Sequence, residues 1–306
     1  MKPMNSKVKL TNLNKIYWPD EGYTKKDSIE YYKNISSFIL PYIKDRPQSL
    51  NRHPDGINGK SFFQKDIDPP YPSWIETMDY YSESTGKIIN YLVCKDLGTL
   101  LYMANLGCIE INPWGSRVES LHNPDFLILD LDPEGISFDK VVEVAIVIRK
   151  VLEKIEVDGY CKTSGGRGLH VYIPLRAKYT FEDALQFSKI LARIINQEIP
   201  AITSLIRSPE QRKGKVYIDC YQNRVGQTIV APYSLRPRIG APVSTPLLWK
   251  ELNSKLSPIN FTIKTIFKRL DRTGDLWGKV LGPGIDMEAC TGRISKFYPQ
   301  SLIKII

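Results

Sequence analysis

Apolar positions recur along the chain with two periods, and the change of period marks the elements. Lys26–Tyr42 carries Ile29, Tyr32, Ile35 and Phe38 at helical spacing behind Thr24, a residue suited to an N-cap; Pro41 is placed to end or kink that helix. Lys95–Leu106 reads as a buried helix, and Cys108–Ile111 as a strand stopped by Pro113. Between Asn51 and Phe63 the turn signal Pro54-Asp55-Gly56 separates two short extended runs.

The middle of the chain is the more regular part. Asp125–Leu131 is a strand of nearly unbroken apolar residues. Ser137–Ile155 follows as a helix, Ser137 its N-cap, with Phe138, Val141, Val142, Ala145, Ile148 and Leu152 along one face. Tyr160–Thr163 and Leu169–Pro174 predict two strands around the turn Ser164–Gly168. A second amphipathic helix, Phe181–Ile195, starts at Thr180, and strands are expected over Lys215–Tyr221 and Gln227–Ser234. Strand, helix, hairpin, helix, strand predicts a largely antiparallel sheet backed by helices. The tail, Pro258–Ile306, reads as helical cover. An α+β fold is expected, with an N-terminal α/β lobe over about 1–120, a core over about 121–245 and the cover over about 246–306.

Composition narrows the class. With 306 residues, 42% of them hydrophobic, the chain can bury a sizeable core. Forty-two Lys and Arg against 33 Asp and Glu leave a formal charge of +9, which favours a polyanionic partner without specifying one. The five cysteines are scattered and contain no C-x-x-C, which argues against a disulfide framework or a structural zinc site. His53, His122 and His170 do not stand at metal-ligand spacing from one another. The opening MKPMNSKVKLTNLNK lacks the apolar core of a signal peptide, and no run approaches the roughly 18 apolar residues of a membrane span. A cytoplasmic, nucleoid-associated protein with no membrane partner is expected.

The chemistry concentrates at three places. Asp130 and Asp132 stand two apart at the end of the apolar strand, so both point to one face. Like charges held that close repel, and a hard divalent cation relieves the conflict; the alternative is a strand that has run out into solvent at Pro133 and Gly135. Asp219 shares an alternating strand with Tyr217 and Tyr221, opposite Val216, Ile218 and Cys220, and as a neighbour it would make a third carboxylate. Ser164–His170, SGGRGLH, offers backbone N–H groups and Arg167 to a phosphate, or forms an ordinary glycine-rich hairpin turn. His170 suits either a ligand or a core histidine. Arg236 and Arg238 follow within reach of a triphosphate or lie solvated.

Taken together, LDLDP, TSGGRGLHVYIPL and VYIDCYQN resemble the three motifs of the archaeo-eukaryotic primase superfamily. Within it the chain is most similar to the polymerase domain of bacterial DNA ligase D. LTNLNKIYWPDEGYTK, RHPDGINGKSFFQKD, LGCIEINPW and GQTIVAPYSLRPR extend the resemblance from about Leu10 to about Gly284. The resemblance implies a twisted, largely antiparallel primase-type sheet and a template-directed nucleotidyltransferase. Such an enzyme adds nucleotides, often ribonucleotides, to DNA 3′ ends in non-homologous end joining. It implies that Asp130, Asp132 and Asp219 bind two ions, Mn²⁺ or Mg²⁺. Ser164, Gly165, Arg167, His170, Gln222 and Arg236 would hold the incoming nucleotide. Phe62 and Phe63, otherwise core residues, would stack on the template, with Arg52 beside them on the DNA. Asn12, Lys15 and Lys25, otherwise a solvated face, would take the 5′-phosphate of a gap or broken end. The partners implied are gapped or broken DNA, nucleoside triphosphates, Ku and a DNA ligase. Asn112 stands where some members carry histidine. Two rival readings use the same residues: a metal-dependent phosphodiesterase or nuclease, and a non-catalytic module that binds DNA ends.

Overall fold

The computed structural model describes residues 7–83 and 85–303. The first six residues of the stretch read for a leader, and the last three of the expected helical tail, lie outside the described residues. In chain order the strands are β1 (Ile16–Trp18), β2 (Tyr23–Thr24), β3 (Arg46–Arg52), β4 (Phe62–Gln64), β5 (Thr77–Ser82), β6 (Lys87–Cys94) and β7 (Cys108–Pro113), followed by β8 (Phe126–Glu134), β9 (Tyr160–Thr163), β10 (Leu169–Pro174), β11 (Thr203–Ser204), β12 (Lys215–Asp219) and β13 (Pro246–Leu247). The helices are α1 (Lys25–Ile43), α2 (Leu97–Asn105), α3 (Phe138–Lys154), α4 (Phe181–Glu198), α5 (Ile266–Thr273), α6 (Met287–Phe297) and α7 (Gln300–Ile303). They fall into two compact units, each assembled from three stretches of chain.

The first unit comprises Met1–Glu119, Thr228–Thr245 and Phe261–Arg272. In its five-stranded antiparallel sheet β3 pairs with β4, β6 and β7, and β6 with β5. Helix α1 opens on a capping box. Thr24 Oγ accepts from the Asp27 N–H while the Asp27 carboxylate accepts from the Thr24 N–H, so two orphan donors of the first turn are satisfied reciprocally. Pro41 sits inside the last turn and does not end the helix. The strand expected over Gln227–Ser234 does not form: Thr228 makes only an isolated bridge to Trp114. Pro232 cannot donate to a ladder, and Tyr233 turns back at φ 65°. This stretch is held instead by the Ala231 N–H on Ile111 O and by Ser234 Oγ accepting from the Ile111 N–H, each at 2.9 Å.

The second unit comprises Ser120–Gln227, Pro246–Asn260 and Thr273–Ile306. Its six-stranded sheet runs β11-β12-β8-β10-β9-β13, antiparallel except between β11 and β12. Along β8 and β10 the odd-numbered residues Leu127, Leu129, Leu131, Val171 and Ile173 are fully buried, and α3 and α4 pack against these strands. Asn196 and Ile199 at the end of α4 accept from Thr203 Oγ, which fixes the turn into β11. Strand β8 runs on through Pro133 to Glu134, past the boundary expected at Leu131, because β12 pairs with it over Lys215↔Glu134 and Val216↔Pro133. Strand β12 itself stops at Asp219, earlier than expected. The Asp219 carboxylate accepts from the Tyr221 N–H at 2.7 Å and bends the backbone into a short 3-10 turn. All five cysteines are free and buried. Among the described residues no helix is long and apolar enough to cross a membrane.

Candidate functional site

Strand pairing in the second unit lines up one polar rung across four strands. Asp219 on β12 faces Asp130 on β8; His170 on β10 faces Asp130 from the other side; Lys162 on β9 faces His170. Directly opposed residues share a face with Cβ atoms about 4.5–5.5 Å apart, and like charges so placed destabilise the sheet. The rung therefore begins with two carboxylates in conflict. Asp132 stands two residues further along β8 on the same face, opposite Tyr217. Asp130 is buried and Asp132 exposed, so the strand does not run out into solvent at the first of them. Burial is the main cause that raises the Asp219 carboxyl above its ordinary range. The Tyr221 N–H, Arg207, Arg212 and the Tyr217 hydroxyl oppose that shift. Among the described residues, no three His, Cys, Asp or Glu side chains close into a metal cage.

The turn Ser164–Gly168 stands against the end of β8. Ser164 Oγ accepts from the N–H groups of Gly166 and Gly168, each at 3.1 Å, and Gly165 takes φ 70°. A Cβ on Gly168 would lie 2.2 Å from the carbonyl oxygen of Leu131, so only glycine lets the turn approach β8 this closely. Arg167 is exposed at the tip. Gln222 is half-buried in the 3-10 turn after Asp219. Its neighbour Asn223, which the sequence did not single out, fastens that turn to β8: its side chain accepts from the Ile128 N–H and donates to Ile128 O, both at 2.8 Å.

Tertiary pairing also brings in cations that pattern reading missed. Lys162 is completely buried, its Nζ 2.9 Å from His170 Nδ1, and His170 Nε2 lies 3.3 Å from Asp130 Oδ1. Arg212 stacks on Tyr217 at 3.9 Å, and Arg207 and Arg224 lie over Tyr221 at 5.5 and 4.3 Å. These arginines sit on tyrosines that bracket Asp219, a signal visible in the sequence only as Y-I-D-C-Y.

A second candidate surface belongs to the first unit. The Lys15 N–H donates to Asn12 O at 3.1 Å, and the Lys25 N–H to Lys15 O at 2.8 Å, which draws the three residues together. Asn12 adopts φ 54°, and Lys15 Nζ pairs with Asp55. Lys25 is buried in the first turn of α1; burial, then Lys15 and Arg52, push its ammonium below the ordinary lysine range. Arg52 donates to Leu106 O and to the Gln64 side chain and lies 5.3 Å over the Phe62 ring. Phe62 and Phe63 on β4 are both exposed, Phe63 by 62%, so the core alternative fails for each. Arg236 also lies in the first unit, where it pairs with the buried Glu110 at 2.9 Å. Asn112, on the same face of β7 as Glu110, is buried opposite Ser49.

The family described as LigD, primase-polymerase domain, matches residues 24–277. The bifunctional non-homologous end joining protein LigD of Bacillus subtilis is 32% identical over 275 residues, 89% of this chain and 44% of that protein. The multifunctional LigD of Mycolicibacterium smegmatis is 30% identical over 88% of this chain and 35% of its own length. The chain thus spans less than half of the curated relatives it matches. Among solved structures, the polymerase domain of Mycobacterium tuberculosis ligase D in complex with DNA superposes with a TM-score of 0.83. It is 29% identical, and the match covers 91% of this chain and 99% of that one.

Proposed function

The chain belongs to the LigD primase-polymerase domain family, and on that premise we propose that it is a template-directed nucleotidyltransferase acting on DNA 3′ ends at gaps and double-strand breaks. The observation that carries the reading is the register of β12 on β8, which sets Asp219 opposite Asp130 with Asp132 two residues on. In the reaction a primer 3′-hydroxyl attacks the α-phosphate of a nucleoside triphosphate, and pyrophosphate leaves.

The donor chemistry suits two divalent ions, Mn²⁺ or Mg²⁺: three hard carboxylates on one face, Asp219 directly opposite Asp130. When bound, such ions stabilise charge on the attacking and leaving oxygens. The protein's own share is positioning and charge. In the second unit, Ser164, Gly165, Arg167, His170 and Gln222 hold the triphosphate. Phe62 and Phe63 stack on template bases beside Arg52, and such stacking contributes about 1–3 kcal/mol per base while tolerating any sequence. Asn12, Lys15 and Lys25 take a downstream 5′-phosphate. A role in non-homologous end joining is supported by the names of the relatives; Ku and a DNA ligase as partners and ribonucleotides as substrates belong to the proposal. DNA as the partner is supported by the DNA bound to the mycobacterial domain.

The deciding experiment is extension of a labelled primer on gapped DNA with Mn²⁺ and either ribo- or deoxynucleotides. The proposal expects lengthening, and the two nucleotide sets read out the sugar preference. Shortening points to a phosphodiesterase, and unchanged but bound primer points to an end-binding module.

A further inference from the structure

Strand β12 leaves the sheet at Asp219, but β8 extends from Asp130 back to Phe126, past the last rung of their pairing. In an antiparallel ladder the bonding pattern repeats every second residue, so the next equivalent rung would set residue 221 against Ile128. Tyr221 does not fill that place, because Tyr221–Asn223 has already turned into a 3-10 helix. The Asn223 side chain fills it instead. Its Oδ1 accepts from the Ile128 N–H and its Nδ2 donates to Ile128 O, both at 2.8 Å. One amide thus makes the two bonds that a facing strand residue would exchange. Nδ2 also donates to Cys220 O at 2.9 Å, and the Asn223 N–H reaches the same oxygen at 3.1 Å. Asn223 is 2% exposed, with its side-chain oxygen and both amide hydrogens in use.

The consequence falls on Gln222. In a strand continued past Asp219, Gln222 would share a face with the buried Ile218 and Cys220, where its amide would need partners. In the turn it is half-buried, and its side chain makes no hydrogen bond among the described residues. A three-residue 3-10 turn has little hydrogen bonding of its own to fix it, so the anchor on Ile128 decides where Gln222 stands. Nothing in the run D-C-Y-Q-N shows this; it follows from where β12 stops against β8.

We propose that Asn223 is a positioning residue: by standing in for the missing strand residue it keeps Gln222 out of the sheet and presents its amide to the incoming nucleotide. The nucleotide rests on the polymerase reading. Asn223 acts only through Gln222, since its own amide is fully engaged. Asp219 does not depend on it, because the rung opposite Asp130 holds that residue.

A double-mutant cycle separates positioning from a merely structural role. Binding of a fluorescent ATP analogue with Mn²⁺ is measured for wild type, Gln222→Ala, Asn223→Ala and the double variant, each shown to be folded by circular dichroism. Each single variant is expected to lose affinity about fivefold, the size of one neutral hydrogen bond, and the double variant no more than Gln222→Ala alone. Losses that multiply to about 25-fold overturn the proposal, because Asn223 then acts by another route. Wild-type affinity in either single variant overturns it as well. Amide hydrogen exchange reads the anchor directly: the Ile128 N–H should exchange faster in Asn223→Ala, and equal protection in the two proteins overturns the anchoring role. If Asn223→Ala fails to fold, Asn223→Ser, whose hydroxyl keeps one of the bonds, takes its place in the cycle with the same expectations. A wild type that binds no nucleotide overturns the polymerase reading itself, whereas nucleotide binding without coupling between the two residues overturns only the role of Asn223.

Discussion

At the scale of single residues, Asp219 couples stability to function. Burial raises its carboxyl above the ordinary range, so the native state favours the protonated form. Its contribution to stability is therefore greatest below the ordinary carboxylate pKa and falls as pH rises from there to the raised native value. Asp219→Asn should unfold at higher urea than wild type in EDTA at neutral pH, and that advantage should shrink as the pH is lowered. Mn²⁺ should then raise the melting temperature of wild type but not of Asp219→Asn. Asp130→Asn and Asp132→Asn should leave the fold intact and cut primer extension at least 100-fold; near-wild-type extension with Mn²⁺ by either variant would remove this face from the mechanism. Lys15 and Lys25 make a separate residue-scale test. A terminal phosphate carries more charge than an internal diester, and a charged hydrogen bond contributes roughly 1.5–3 kcal/mol. Wild type should prefer a 5′-phosphate over a 5′-hydroxyl on gapped DNA by about tenfold or more, and Lys15→Ala with Lys25→Ala should abolish the preference while sparing nucleotide binding.

At the scale of elements, the Ser164–Gly168 turn is the joint most sensitive to a single methyl group. Gly168→Ala puts a Cβ 2.2 Å from backbone oxygen on β8, which no side-chain rotation can relieve. The cost should be about 1–3 kcal/mol in urea unfolding, the usual range for overpacking, with a larger loss in nucleotide affinity than in DNA affinity because the turn must lift away from Asp132. Gly166→Ala, whose N–H also reaches Ser164, tests whether the effect is specific to the close approach. The capped helices were the most readable elements: Thr24 and Thr180 were legible as N-caps, and both form capping boxes, with Asp27 and Asp183 three residues on. Ser137 occupies its expected position but makes no side-chain cap bond. A cap is a local event, fixed by residues three apart, and so is apolar spacing along a helix. Strand ends are not local. Strand β8 outran its expected boundary because β12 pairs with it, and Gln227–Ser234 failed as a strand because Pro232 and the left-handed Tyr233 break the alternation that its apolar residues suggest.

At the scale of the whole molecule, the formal charge of +9 is spent in particular places. Lys15, Lys25 and Arg52 gather in one unit and Arg207, Arg212 and Arg224 in the other. Released counterions should give DNA binding a log–log salt slope of about −0.9 per duplex phosphate contact. Lys15→Ala should make that slope shallower by about one contact, and an affinity flat from low to physiological salt would assign the charge another purpose. Much of this was decided by sequence alone. Two-residue alternation put Asp130 and Asp132 on one face, and Tyr217 with Asp219 on another strand, whatever the tertiary fold, because the pleat has a period of two. Helical spacing fixed α1, α3 and α4 in the same way. Only the tertiary structure decided that Asp219 faces Asp130, that Lys162 lies buried behind His170, and that Arg236, 17 residues after Asp219 in the chain, belongs to the other compact unit and pairs with Glu110. The physical reason is that strand register is a long-range choice. It is set by which apolar faces can be buried together, and it brings into contact residues whose separation in the chain carries no period to read.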